Sequence, residues 1–266
     1  MKPAPFAYVR PQAWSEALSL LRDGARPLAG GQSLGPMLNL RLAQPGRLAD
    51  LRHLPDFAGV VLADGICRIG AGTTHAAIED GAVPGRLGAI LAGVARRIAY
   101  RAVRNRGTIG GSLAHADPAA DWVAVLPAFD GVAVALGPSG ERRIPLAGFV
   151  CGVFETALRP DEVLRAIELP MLPPETGWGH WKFCRKPGEF SKATACLLAM
   201  PGARSRAVLA ALDGPPLVIA DADALLTAPQ AEAARVVAAL DLPDPWRAAL
   251  ARTALHRAAL AAKEGK

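Results

Sequence analysis

Ala13, Trp14, Ala17, Leu18 and Leu21 recur at helical spacing through residues 11–23, with Pro11 suited to a first turn and Gly24 as a stop. Residues 26–29 read as a short buried strand that runs into Gly30-Gly31. Ser33 stands where a helix cap belongs, ahead of Leu34, Met37, Leu38 and Leu42 on one face, and Pro36 is tolerated in the first turn. Residues 47–51 make a second strand. The result is a compact β-α-β unit with its glycine pair where strand turns into helix.

The pattern then changes. Two apolar runs, 59–62 and 66–69, flank Asp64-Gly65 and predict a hairpin. Helices are expected over 74–80 and 86–100. A second glycine pair, Gly110-Gly111, follows in a loop, and a helix over 119–129 comes after it. A further hairpin pairs 132–136 with 142–146, and 163–169 is one more strand. Hairpins mixed with helices indicate an α+β fold and argue against a doubly wound sheet. Residues 170–174 resemble a linker. Beyond them lie strand-like segments at 178–184, 193–200 and 207–212, then alanine-rich helices over 230–240 and 245–262.

The 266 residues suffice for a sizeable core and two or three subdomains. Apolar residues make up 51% and charged residues 20%, with no apolar run long enough to span a bilayer and no apolar signal core at the N-terminus. A cytoplasmic protein is expected. The net charge of +6 is mostly arginine and scattered, with local groups at Arg96-Arg97, Arg101/Arg104/Arg106 and Arg204/Arg206. Aromatic residues do not interleave with these groups, so no nucleic-acid platform is expected. The charge reads as a solvated surface or a docking face for an acidic partner. Cys67, Cys151, Cys184 and Cys196 lack C-x-x-C spacing and read as reduced, mostly buried thiols. The histidines form no H-x-x-x-H or H-E-x-x-H motif, so no resident metal is expected.

The chemistry lies in the glycine pairs, Ala29-Gly30-Gly31-Gln32-Ser33 and Thr108-Ile109-Gly110-Gly111-Ser112. A glycine pair lets backbone N–H groups approach phosphate oxygens, and a helix starting just after adds its positive end. Two such loops, convergent in space, can hold one diphosphate cofactor. A bare glycine pair before a helix also serves as a tight turn. Asp117 with Pro118 reads as a cap for the following helix. Asp121, one turn further, is either an acceptor for a ribityl or ribose hydroxyl or a solvated acid.

The run from Ala29 to Ala43 resembles the first FAD loop of the flavoprotein subunits of molybdenum hydroxylases, of the carbon monoxide dehydrogenase and bacterial xanthine dehydrogenase type. The run from Arg104 to Asp121 resembles their second loop. Likeness continues through Glu155-Thr156-Ala157-Leu158, Leu164 to Pro170, Trp181-Lys182-Phe183 and Arg252 to Leu260. The resemblance implies an FAD-binding domain over 1–170, with subdomains of about 1–55 and 56–170, and a small α+β C-terminal domain over 175–266. It implies that Pro27, Leu28, Ala29, Gly30, Gly31, Gln32, Ser33 and Leu34 wrap the FAD diphosphate together with Thr108, Ile109, Gly110, Gly111 and Ser112. Ile98, Asp121, Leu164 and Lys182 match further positions that line the cofactor. Ser112 stands where many relatives have asparagine, and His180 and Trp181 stand where a tyrosine is common, leaving open which of them covers the flavin ring. The cysteine-rich insertion of some relatives is missing.

The implied protein is a noncovalent FAD subunit that passes electrons from [2Fe–2S] clusters of a small partner subunit to NAD, a quinone or oxygen. Substrate oxidation belongs to a large molybdopterin subunit, and the expected assembly is a dimer of heterotrimers. No side chain is nominated as catalytic. The rival readings are a self-sufficient FAD oxidoreductase, which would need placed acid–base groups, and a scaffold that has lost its cofactor.

Overall fold

A computed structural model describes residues 2–265. The N-terminal part comprises β1 (Ala7–Val9), α1 (Trp14–Arg22), β2 (Arg26–Leu28), α2 (Leu34–Asn39) and β3 (Arg47–Asp50). The strands form a sheet in the order β1-β3-β2, and both pairings are parallel, as a β-α-β crossover requires. Buried Asp50 ties β1 to β3 through the Tyr8 hydroxyl. It also takes Arg52 bidentately at 2.8 and 2.7 Å. Burial alone would raise its carboxyl, but these hydrogen bonds outweigh burial and hold it well below the usual carboxylate range. Helix α2 is shorter than its apolar face suggests. Arg41 adopts a left-handed φ of 57°, which ends the helical path, and Leu42 is 72% exposed.

The middle part contains β4 (Val60–Ala63), β5 (Ile66–Gly70), α3 (His75–Glu79), α4 (Gly85–Arg96), α5 (Arg101–Arg104), α6 (Ile109–His115) and α7 (Asp121–Val125). It continues with β6 (Val132–Gly137), β7 (Gly140–Pro145), β8 (Val150–Gly152), β9 (Glu155–Thr156) and β10 (Val163–Pro170). The larger sheet runs β4-β5-β10-β6-β7 and is antiparallel throughout. Asp64 and Gly65 both take positive φ, 50° and 75°, as a two-residue hairpin turn demands. The helical pattern over 86–100 is broken because Ala99 takes φ 40°. The expected helix over 119–129 divides into α7 and a 3-10 turn over Leu126–Phe129. Asp117 closes its own turn on the Ala119 N–H at 2.9 Å, and Ala120 holds the cap position instead.

The last part holds β11 (Gly177–Phe183), β12 (Ala193–Ala199), β13 (Arg206–Ala210), β14 (Leu217–Ile219), α8 (Asp223–Thr227), α9 (Pro229–Ala238) and α10 (Pro245–Lys263). Its antiparallel sheet follows chain order. Alternation along the strands divides two cores. Cys196, Leu198, Val208 and Ala210 join Trp122, Phe129 and Trp178 in the main core. Ala195, Leu197, Ala207 and Leu209 pack with the alanines of α9 and α10. A Cβ at Gly179 would lie 1.8 Å from the Ala258 carbonyl oxygen, so α10 can approach β11 only over glycine. The architecture is the α+β class expected. Cys67 and Cys196 are buried, Cys184 is half-buried and Cys151 is exposed.

Candidate cofactor site

The β2–α2 turn and the start of α6 meet back to back. A Cβ at Gly30 would sit 1.9 Å from the Arg106 carbonyl oxygen and 2.8 Å from Gly107 Cα, so only glycine permits the contact. Gly31 has φ 72°, a conformation that favours glycine. Among the described residues no acceptor takes the backbone N–H groups of Gly30, Gly31, Gln32 or Ser33. Four consecutive amides are thus left as donors beside the start of α2, and Ser33 at the cap position makes no side-chain capping bond.

The second glycine pair differs from its expected form. Gly110 and Gly111 lie inside the first turn of α6, with Thr108 as its cap. The N–H groups here are spent within the chain: Ile109 on Thr73 O at 3.0 Å, Gly110 on Ala71 O at 2.9 Å and Gly111 on Thr108 Oγ1 at 3.0 Å. These glycines serve close approach. A Cβ at Gly110 would stand 2.3 Å from Ala71 Cβ, and Gly111 is exposed with bare Cα surface.

Together the two turns border a cleft of about 1060 Å³. Pro27, Leu28, Ala29, Gly30, Gly31, Gln32, Ser33 and Leu34 line it from one side, and Thr108, Gly110, Gly111 and Ser112 from the other. Ile98, Asp121 and Leu164 also line it. Leu164 is placed by a bulge in the β10–β6 pairing between Leu164 and Ala166. Ile109 is fully buried in the core and Lys182 stands behind Asp121; neither is a lining residue. His180 and Trp181 do not line the cleft either. Trp181 packs against Phe183 and lies under the Arg257 guanidinium, while His180 faces Thr194 and Trp178. The aromatic side chain at the cleft from this part of the chain is Phe190, on the segment between β11 and β12 that bridges from Gly188 to Ile98.

Charge around the cleft is sparse. Arg26 is the one lysine or arginine among the lining residues. The Lys182 ammonium lies 2.9 and 3.1 Å from the two Asp121 carboxylate oxygens and 3.1 Å from the Arg97 carbonyl. Burial pushes the Asp121 carboxyl above its usual value, and Lys182 and Arg97 offset that only in part. Arg104 is gripped by Glu79 at 2.7 Å and donates to the carbonyls of Ile98 and Ala99 at 2.9 and 3.0 Å. It thereby fixes the cleft edge where the helical path breaks. Sequence reading missed this role, because Glu79 and Arg104 lie 25 residues apart on separate helices and no local charge pattern pairs them. Among the described residues no three His, Cys, Asp or Glu side chains gather to hold a metal ion, and no helix is long and apolar enough to cross a membrane.

A row of free amides, a helix start, uncluttered glycine surface and a cleft at the large end for small-molecule sites suit a long diphosphate cofactor. The family described as the FAD binding domain in molybdopterin dehydrogenase matches residues 4–172. The chain is 39% identical over 220 residues to the 6-hydroxypseudooxynicotine dehydrogenase complex subunit alpha of Paenarthrobacter nicotinovorans, covering 80% of this chain and 74% of that one. It is 39% identical over 204 residues to the carbon monoxide dehydrogenase medium chain of Hydrogenophaga pseudoflava, covering 75% and 70%. A solved structure of carbon monoxide dehydrogenase from Hydrogenophaga pseudoflava superposes with a TM-score of 0.91 at 33% identity, over 98% of each chain.

Proposed function

Because the chain belongs to the family of FAD-binding domains of molybdopterin dehydrogenases, and so is the FAD-binding medium-type subunit of a molybdenum hydroxylase, we propose that it is the electron outlet of such a complex. When bound, FAD supplies the redox chemistry of this subunit, accepting electrons singly from [2Fe–2S] clusters of a small partner and releasing them to NAD, a quinone or oxygen. Molybdopterin and the iron–sulfur clusters reside on other subunits in the homologous complexes. A dimer of heterotrimers in the cytoplasm completes the reading.

The observation that carries it is the set of unspent N–H groups on Gly30, Gly31, Gln32 and Ser33, residues that line a cleft shared with Gly111 and Ser112. These amides bind the diphosphate, Arg26 adds one positive charge, and Ser33 and Ser112 offer hydroxyls. Pro27, Ala29, Leu34, Thr108 and Gly110 shape the seat around them, and Ile109 anchors it from the core. Leu28, Ile98 and Leu164 bring apolar surface against the cofactor and exclude water. Asp121, held by Lys182, offers a carboxylate edge to a ribityl or ribose hydroxyl. No side chain of the chain moves a proton in this task.

The test is a spectrum of the purified protein, followed by acid release. A flavin spectrum with FAD, and not FMN, in the supernatant is expected. Copurification with an iron–sulfur chain and a molybdopterin chain is expected as well. A colourless protein that takes up no FAD overturns the reading, and so does a flavoprotein that oxidises a substrate unaided.

A further inference from the structure

His75 is 4% exposed, lies at the first position of α3 and lines the cleft. Three contacts place the residue, two of them on its ring. Its backbone N–H donates to Gly107 O at 2.9 Å. Its Nδ1 accepts from the fully buried Trp122 indole N–H at 3.0 Å. Its Cδ2–Nε2 edge lies against Gly107, where a Cβ would come within 2.9 Å of both atoms. An indole nitrogen can only donate, so Nδ1 must be the unprotonated nitrogen and the single ring proton sits on Nε2. Among the described residues no acceptor takes that Nε2–H, and the ring lies where it lines the cleft. The chain has thus prepared a neutral, oriented donor at the cleft wall beside the second glycine turn and left it unpaired.

Resting on the FAD reading above, we propose that His75 is a cofactor-binding residue whose Nε2–H donates to an oxygen acceptor of bound FAD, with Trp122 as the positioning residue that fixes its tautomer. The acceptor is a phosphate oxygen or a carbonyl oxygen of the isoalloxazine ring. A neutral imidazole suits such a place, because it bonds the oxygen without adding a charge to a water-poor wall. Gly107 keeps the ring edge clear, which gives that glycine a second role besides backing onto Gly30.

The full chain with 15N-labelled histidine and tryptophan tests this. Without FAD, the His75 ring should show the Nε2–H tautomer. Addition of FAD should move the Nε2 proton resonance downfield while the Trp122 indole signal stays in place. His75→Phe, which keeps ring volume, should weaken FAD binding by about tenfold or more. In that variant, altered 31P shifts of FAD locate the acceptor on the diphosphate, whereas displaced flavin absorption maxima locate it on the ring; either supports the proposal. If FAD binds and the His75 Nε2 proton does not respond, or a folded His75→Phe protein keeps wild-type affinity with both signatures unchanged, the proposal falls and the FAD reading stands. A chain that binds no FAD overturns both. Should His75→Phe fail to fold, the wild-type resonance decides alone, and Gly107→Ala, which crowds the ring edge, gives a second variant expected to lower affinity.

Discussion

The ammonium of Lys182 sits 2.9 Å from the carboxylate of Asp121, and both side chains are nearly inaccessible, 3% and 10% exposed. Lys182 lies on β11 and Asp121 opens α7 at the cleft wall, so one ion pair joins the C-terminal sheet to the cleft. Removing one member leaves the other buried without its partner. Lys182→Met should destabilise the protein by about 3–5 kcal/mol. Pairing it with Asp121→Leu should restore most of that loss. Urea unfolding of the two variants checks both statements, and equal losses would refute the coupling.

Gly30→Ala should separate the two turns. Its Cβ would lie 1.9 Å from a backbone oxygen, which no rotamer change relieves. FAD content per chain should fall well below one, measured by absorbance after acid release. Gly35→Ala, where nothing lies within 4 Å of the new Cβ, should retain full flavin.

Stability should fall as pH drops below neutral. Burial holds His75 at about 4, with Arg104 adding to the effect. Burial, with Arg97 and Lys182, holds His180 at about 3. Both stay neutral when folded, while the unfolded chain protonates near 6.5. The unfolded state therefore binds more protons between about 6.5 and the folded values, and stability is lost as pH falls through that window. Each histidine contributes a slope of up to about 1.4 kcal/mol per pH unit. Unfolding free energies measured from pH 7 to 4 test this, and His180→Phe should flatten the curve by its own share.

Arg26→Ala should weaken FAD binding by about three- to tenfold at low ionic strength and by less in high salt. Its guanidinium is the one formal Lys or Arg charge lining the cleft, and it is exposed enough for salt to screen. Titration at two salt concentrations gives the answer. A salt-independent deficit would mean that packing, not charge, is what Arg26 contributes.

The first glycine turn was legible because its cause is local. A short strand, two glycines, a serine and an apolar helical face follow one another in the chain. The second pair was legible as a pair but not in its conformation. Glycine is a poor helix former, so Gly110-Gly111 reads as a loop. Only the carbonyls of Ala71 and Thr73, nearly forty residues upstream, take the amides that start α6 there. Lys182 and Asp121 could each be singled out by resemblance, yet nothing in the chain's period pairs residues 61 positions apart. His75 and Trp122 are a similar case, because a tautomer lock exists only once the core has closed around them. Phe190, and not His180 or Trp181, reaches the cleft because β11 turns those two toward the sheet's own neighbours.

The seating of Gly30 on the Arg106 carbonyl has a further consequence. Two stretches of chain separated by more than seventy residues touch through backbone alone, with no side chain between them. The contact belongs to the chain itself, so the entropy of ordering this part of the rim is charged to folding and not to binding. Filling the cleft then resembles a key entering a finished lock more than a segment folding around its cargo.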